Sequence, residues 1–149
     1  MKKILFKGVG SAVPTPFDEN GNVNFDKIKE LVDFQIENGT DAIVACGTTG
    51  ESSTMTRDEK IIAINCVLEV ANEKIPVIVG TGSNNTREAI EMSEIAERLG
   101  ANGILVVTPY YNKTTQRGLI AHYKAIAESV SLPIILYNVP SRTGVNIEP

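Results

Sequence analysis

The 149-residue chain sets 14 Lys and Arg against 18 Asp and Glu, a formal charge of −4, and 42% of its residues are hydrophobic. That is enough apolar material for one ordinary domain with a real core, while the lack of a basic tract excludes the electrostatic footprint of a nucleic-acid or anionic-membrane partner. No apolar run approaches membrane-spanning length, and Lys7 and the glycines break the start MKKILFKGVGSAV too early for a secretion signal, so a cytoplasmic protein is expected.

In chain order, β-branched apolar runs at Val9–Val13, Asp41–Cys46, Ile75–Val79, Gly103–Val107 and Pro133–Tyr137 alternate with helical stretches at Asn24–Asn38, Thr56–Asn72, Asn85–Leu99 and Thr115–Val130. In the first helix Phe25, Ile28, Val32 and Ile36 recur at helical spacing, with Gly39 as a stop. Thr56 with Glu59, and Asn85 with Glu88, have capping-box spacing, and Gly100 closes the third helix. The runs IVAC, VIVG, ILVVT and IILYN do not alternate, which predicts a parallel sheet covered on both faces and joined by helical crossovers. The order is strand-helix repeated four times and then a fifth strand, with no linker and no second domain. Cys46 and Cys66 lack CxxC spacing and lie in apolar segments, so buried reduced thiols are expected rather than a disulfide or a metal site. His122, the single histidine, sits mid-helix and is read as structural.

Both an open doubly wound sheet and part of an eight-stranded barrel fit this pattern. Nucleotide signatures are incomplete: Val13 stands where the third glycine after Gly8 and Gly10 belongs, and neither GTTGES nor GTGSNN continues into the lysine of a phosphate loop. Polar groups instead collect after the strands, at Thr15, Thr48, Thr49, Thr81, Ser83, Tyr110, Tyr111, Tyr137, Asn138 and Arg142. A (β/α)8 barrel places its active site at those strand ends. Threonines between glycines suit the holding of an anion, because two hydroxyls and two N–H donors fall in one small arc where backbone can approach closely.

Four motifs, GTTGES, VGTGSNNT, TPYYNK and LYNVPSRTG, resemble the dihydrodipicolinate synthase family, class I aldolases related to N-acetylneuraminate lyase, and the resemblance runs unbroken along the chain. It implies a TIM (β/α)8 barrel of which residues 1–149 are the N-terminal portion, about the first four and a half βα units of a single domain. It also implies a homotetramer that condenses pyruvate with aspartate semialdehyde on the way to diaminopimelate and lysine, with no metal and no organic cofactor. By the same resemblance Gly47 and Thr49 bind the pyruvate carboxylate, Thr48 links tyrosines in a proton relay, Tyr137 is the general acid/base, and Tyr111 reaches into a neighbouring subunit's site. Arg142 receives the semialdehyde carboxylate, a role its two-pronged guanidinium suits. Ser52, Ser53, Asn84, Glu88 and Tyr110 fall where lysine-sensitive members bind that effector, although Arg57 and Lys60 stand where some of those members carry histidines. Capping of the third helix would account for Asn85 and Glu88 without an effector.

The family reaction begins with a lysine amine attacking the pyruvate ketone, and in relatives that lysine lies on a sixth strand, which this chain does not reach before Pro149. Lys113 is nearest a strand end but lies in a loop, where an amine stays solvated and protonated. The expectation is therefore half a barrel, with about two apolar side chains per strand aimed at a centre that lacks its opposite wall. Such a chain would associate with another copy, giving a homo-oligomer, or with a complementary half-barrel, or stay partly molten. A sibling aldolase acting on sialic acid, and a catalytically silent half-barrel, are the alternative readings.

Overall fold

The computed structural model describes residues 4–149; Met1, Lys2 and Lys3, the basic start of the segment weighed above as a leader, lie outside the described residues. Strands β1 (Gly10–Ala12), β2 (Ala42–Ala45), β3 (Val77–Gly80), β4 (Gly103–Val107) and β5 (Ile134–Tyr137) alternate with helices α1 (Phe25–Glu37), α2 (Arg57–Ala71), α3 (Thr86–Leu99) and α4 (Gln116–Ser129). A 3-10 turn at Ser52–Thr54 and a one-turn helix α5 (Pro140–Thr143) were not expected from the sequence. Both are too short to show helical periodicity.

Local chemistry sets the helix boundaries. Asn24 accepts the Lys27 N–H at the start of α1, and Gly39 follows its end at φ +81°. Thr56 and Glu59 form the expected reciprocal capping box on α2, with the Thr56 N–H donating to Glu59 Oε2 at 2.7 Å. At α3 the expectation fails in half: Asn85 caps the Arg87 N–H, but Glu88 accepts the Ser83 hydroxyl at 2.8 Å instead of closing a capping box. The serine two residues before the cap competes successfully for the carboxylate, so capping does not account for Glu88.

All five strands are parallel and hydrogen-bonded in the order β1-β2-β3-β4-β5. A doubly wound sheet would reverse direction and carry helices on both faces, whereas a sequential order with right-handed crossovers keeps every helix on one side. The register pairs Ile43 with Val77, Val79 with Ile104, and Ile104 with Ile134. With Ala45 and Val106 these form the face that packs on Ile28, Val32, Ile64, Val67, Ala89, Met92 and Ile126 of the helices, in one core. The wall of a barrel is built this way.

The opposite face corrects the expectation of cover on both sides. It carries Ala42, Val44, Ile78, Leu105, Val107, Ile135 and Tyr137, with Gly10, Ala12, Gly80 and Gly103 between them. Ala42 and Ile78 are fully buried, and Leu5 lies over Gly103 beside Ile78. Val44, Leu105, Val107 and Ile135 are only half-buried. The large apolar side chains here are fewer than about two per strand, because glycine and alanine occupy five of the positions. Continuous apolar runs reveal that both faces avoid charge; they do not reveal which face is actually covered.

Both cysteines are buried free thiols. Burial pushes Cys46 up to about 11, and Cys66 is also raised, first by burial and then by the Glu69 charge. His122 is 6% exposed between α3 and α4, its Nδ1 2.9 Å from the Thr86 hydroxyl and its Nε2 without a hydrogen-bond partner. Burial holds it below the ordinary imidazole value. A folded-state value below the unfolded one means that stability is fully present above about pH 6.5 and is lost as pH falls through the folded value. Thermal melting points should therefore drop between pH 7.5 and pH 5, and His122→Gln should flatten that slope; an unchanged slope would remove His122 as its source.

Candidate active site

The loops after β2, β3, β4 and β5 open at the same end of the sheet, and they border a half-open cavity of about 660 Å³. Its lining includes Gly47 and Thr48 after β2, Gly80 at the end of β3 with Gly82 and Ser83 beyond it, Tyr110, Tyr111 and Lys113 after β4, and Tyr137 at the end of β5 with Ser141 and Arg142 beyond it. Ser52, Ser53 and Glu88 line its edge. These are the carboxyl ends of the strands, where parallel barrels concentrate chemistry because the loops can vary while the wall stays rigid.

Side-chain direction follows from register. Tyr137 pairs with Val107 on the face opposite the helices, so both look into the cavity. Gly80 allows the ends of β2 and β3 to meet: a Cβ there would stand 2.3 Å from the Cys46 carbonyl oxygen and 3.0 Å from Gly47 Cα. Gly80→Ala should accordingly displace the Gly47–Glu51 loop and cost about 1 to 3 kcal/mol as an overpacking change. Urea unfolding would read the loss, and a variant as stable as the parent would disprove the close approach.

Strain gathers at the same place. Cys46, Glu51, Tyr111 and Lys113 all have φ between +49° and +69°. A non-glycine residue in that region costs of order 1 to 3 kcal/mol and persists only where its surroundings fix it. The cavity holds three cationic side chains, Lys60, Lys113 and Arg142, against one carboxylate, Glu88. Among the described residues none of these three cations is in an ion pair, and this surplus suits a small carboxylate-bearing ligand.

The sequence profile of the Dihydrodipicolinate synthetase family matches residues 5–149. The chain belongs to that family. It is 58% identical over 149 residues to the 4-hydroxy-tetrahydrodipicolinate synthase of Acetivibrio thermocellus, covering all of this chain and 51% of that relative. Its fold matches the chloride-inhibited dihydrodipicolinate synthase of Acinetobacter baumannii complexed with pyruvate at a TM-score of 0.92 and 54% identity, over 94% of this chain and 48% of that one. The enzyme from Cyanidioschyzon merolae with lysine bound matches at 0.93 and 44% identity, over 97% of this chain and 50% of that one. The chain thus spans about half the length of the relatives it matches, and its five parallel strands form a half-barrel.

Of the residues that dihydrodipicolinate synthase motifs pick out, Gly47, Thr48, Tyr110, Tyr111, Tyr137 and Arg142 line one cavity, as do Ser52 and Glu88. Thr49 is exposed in the same loop and Asn84 donates to the Tyr110 carbonyl at 3.2 Å, but neither is in the lining. The hydroxyls of Thr48, Tyr111 and Tyr137 are not hydrogen-bonded to one another among the described residues, and Tyr111 is 91% exposed. Two lining residues were given other readings: Cys46 was assigned to the core, where it is also buried, and Lys60 was noted only as standing where some lysine-sensitive members carry histidines, although it lies in the first turn of α2 and lines the cavity. Hydrogen-bond or helix-face spacing alone gives no signal for either.

Proposed function

We propose that residues 1–149 supply the N-terminal portion of a single (β/α)8 domain, and with it the pyruvate-facing part of a 4-hydroxy-tetrahydrodipicolinate synthase. The observation that carries this is the convergence of Thr48, after β2, with Tyr137 and Arg142, at and beyond the end of β5, on one cation-rich cavity. In this reading the Gly47–Thr49 loop holds the keto-acid carboxylate, with N–H and hydroxyl donors. Tyr137 exchanges protons with the reacting carbons through Thr48 and a Tyr111 contributed by a second subunit. Arg142 takes the carboxylate of aspartate semialdehyde with paired hydrogen bonds, which favours this substrate over the polyol of a sialic-acid aldolase. Ser52, Glu88, Asn84 and Tyr110 are the proposed lysine effector site. The working state is a cytoplasmic homo-oligomer.

The Schiff-base amine is proposed to come from outside this chain. Lys60 and Lys113 are the lysines that line the cavity, and both come from helix or loop, not from a strand. A catalytically silent half-barrel is the second reading, favoured by the open inner face. Borohydride reduction in the presence of pyruvate, followed by mass spectrometry, separates the possibilities. The expected result is no label on this chain alone. A label should appear on the partner once the half of the Acetivibrio thermocellus relative that this chain does not match is added. A label on Lys60 or Lys113 would overturn the assignment of the nucleophile, and no label in the mixture would favour the silent reading.

A further inference from the structure

Thr15, in the turn after β1, has no part in the chemistry proposed above, yet it is 7% exposed and its hydroxyl donates to the Gly50 carbonyl at 2.8 Å. The bond joins residues 35 apart in sequence. It is the long-range side-chain tie at the far end of the loop: the Cys46 thiol makes one long contact, 4.0 Å, with the Lys60 carbonyl at the near end, and the bonds between are local, from the Glu51 N–H to the Thr48 carbonyl and from the Thr54 N–H to the Glu51 carbonyl. Both ends of the loop, Cys46 and Glu51, are in the left-handed region at φ +54°. Gly50 is pressed against the Cys46 backbone, where a Cβ would stand 3.1 Å from the Cys46 nitrogen and 3.3 Å from the Thr15 hydroxyl. A strained loop of this kind relaxes unless something outside it holds it.

We infer that Thr15 is a positioning residue: by turning the Gly50 carbonyl into the protein it holds Gly47, Thr48 and Thr49 in the arc that faces the cavity. The inference rests on the keto-acid reading of that arc, but the tie itself can be tested without a ligand. Thr15→Val keeps the shape and removes the donor, leaving a buried carbonyl without a partner; Thr15→Ser keeps the donor. Amide hydrogen exchange followed by mass spectrometry should show residues 47–51 exchanging about tenfold faster in Thr15→Val, as expected for a lost buried hydrogen bond. The β2 and β3 amides should be unchanged, and Thr15→Ser should be close to the parent. Unchanged exchange at 47–51, or an equal acceleration throughout β1 and β2, would overturn the inference. Pyruvate titration followed by NMR adds the functional arm: binding weakened in Thr15→Val and restored in Thr15→Ser supports it. If the parent chain shows the tie but binds no pyruvate, the keto-acid reading fails and the positioning of the loop stands.

Discussion

Tyr137→Phe is expected to slow turnover about 100- to 10,000-fold, the usual contribution of a positioned general acid or base, in a barrel completed with the unmatched half of the Acetivibrio thermocellus relative. The ring lies on the inner face of β5, opposite Val107, and its edge lines the cavity. Removing only the hydroxyl leaves that packing intact, so stability should hardly change while proton transfer is lost. A phenol is a weak acid near pH 7, with an ordinary pKa of about 10, and needs a relay through neighbouring hydroxyls to work there. Thr48→Val should therefore reproduce part of the loss. The measurement is the steady-state rate with both substrates, and a Tyr137→Phe enzyme within about threefold of the parent would remove Tyr137 from the mechanism.

The second large effect concerns the chain by itself, which should not behave as a rigid monomer. Leu105 and Val107 line a cavity open to solvent on the inner side of the sheet, and Val44 and Ile135 are only half-buried on the same face. Around β5 the apolar surface continues outward, with Leu136 49% exposed and Ile120 68% exposed. β1 and β5 each pair on one side only, so both leave a row of backbone donors and acceptors free, the arrangement that invites another strand. Each branched side chain left uncovered forgoes roughly 1.5 to 3 kcal/mol of burial, a large share of the 5 to 15 kcal/mol or so by which domains are stable. Analytical ultracentrifugation at micromolar concentration should show self-association, or else near-ultraviolet circular dichroism should show loss of fixed aromatic packing. A well-packed monomer by both measurements would refute this, and addition of the complementary half should restore a single compact species.

Most of the architecture was legible in the sequence because it depends on short-range chemistry. The strand Gly103–Val107 agrees to the residue, and the other strands begin or end within two residues of their apolar runs. The Thr56–Glu59 box and Gly100 act as start and stop where the side chains alone predict them. Errors arose where two interactions of similar strength compete. Glu88 chose the Ser83 hydroxyl over its own helix terminus, and nothing in the spacing of Asn85 and Glu88 ranks those alternatives. Lys60 illustrates the same limit, since the direction of a long side chain at a helix start depends on what the neighbouring loop leaves open.

The sequence by itself determined that five strands and four helices alternate, where they start and stop, and which polar residues follow each strand, because caps, glycines and apolar periodicity act over a few residues. Only the tertiary structure decided that α1 to α4 lie on one side of the sheet, that the inner face is open, and that Thr48, Tyr137 and Arg142 share one cavity while Thr49 and Asn84 stand beside it. Those facts depend on strand register and on contacts between residues tens of positions apart, such as Thr15 with Gly50, whose pairing no local preference encodes.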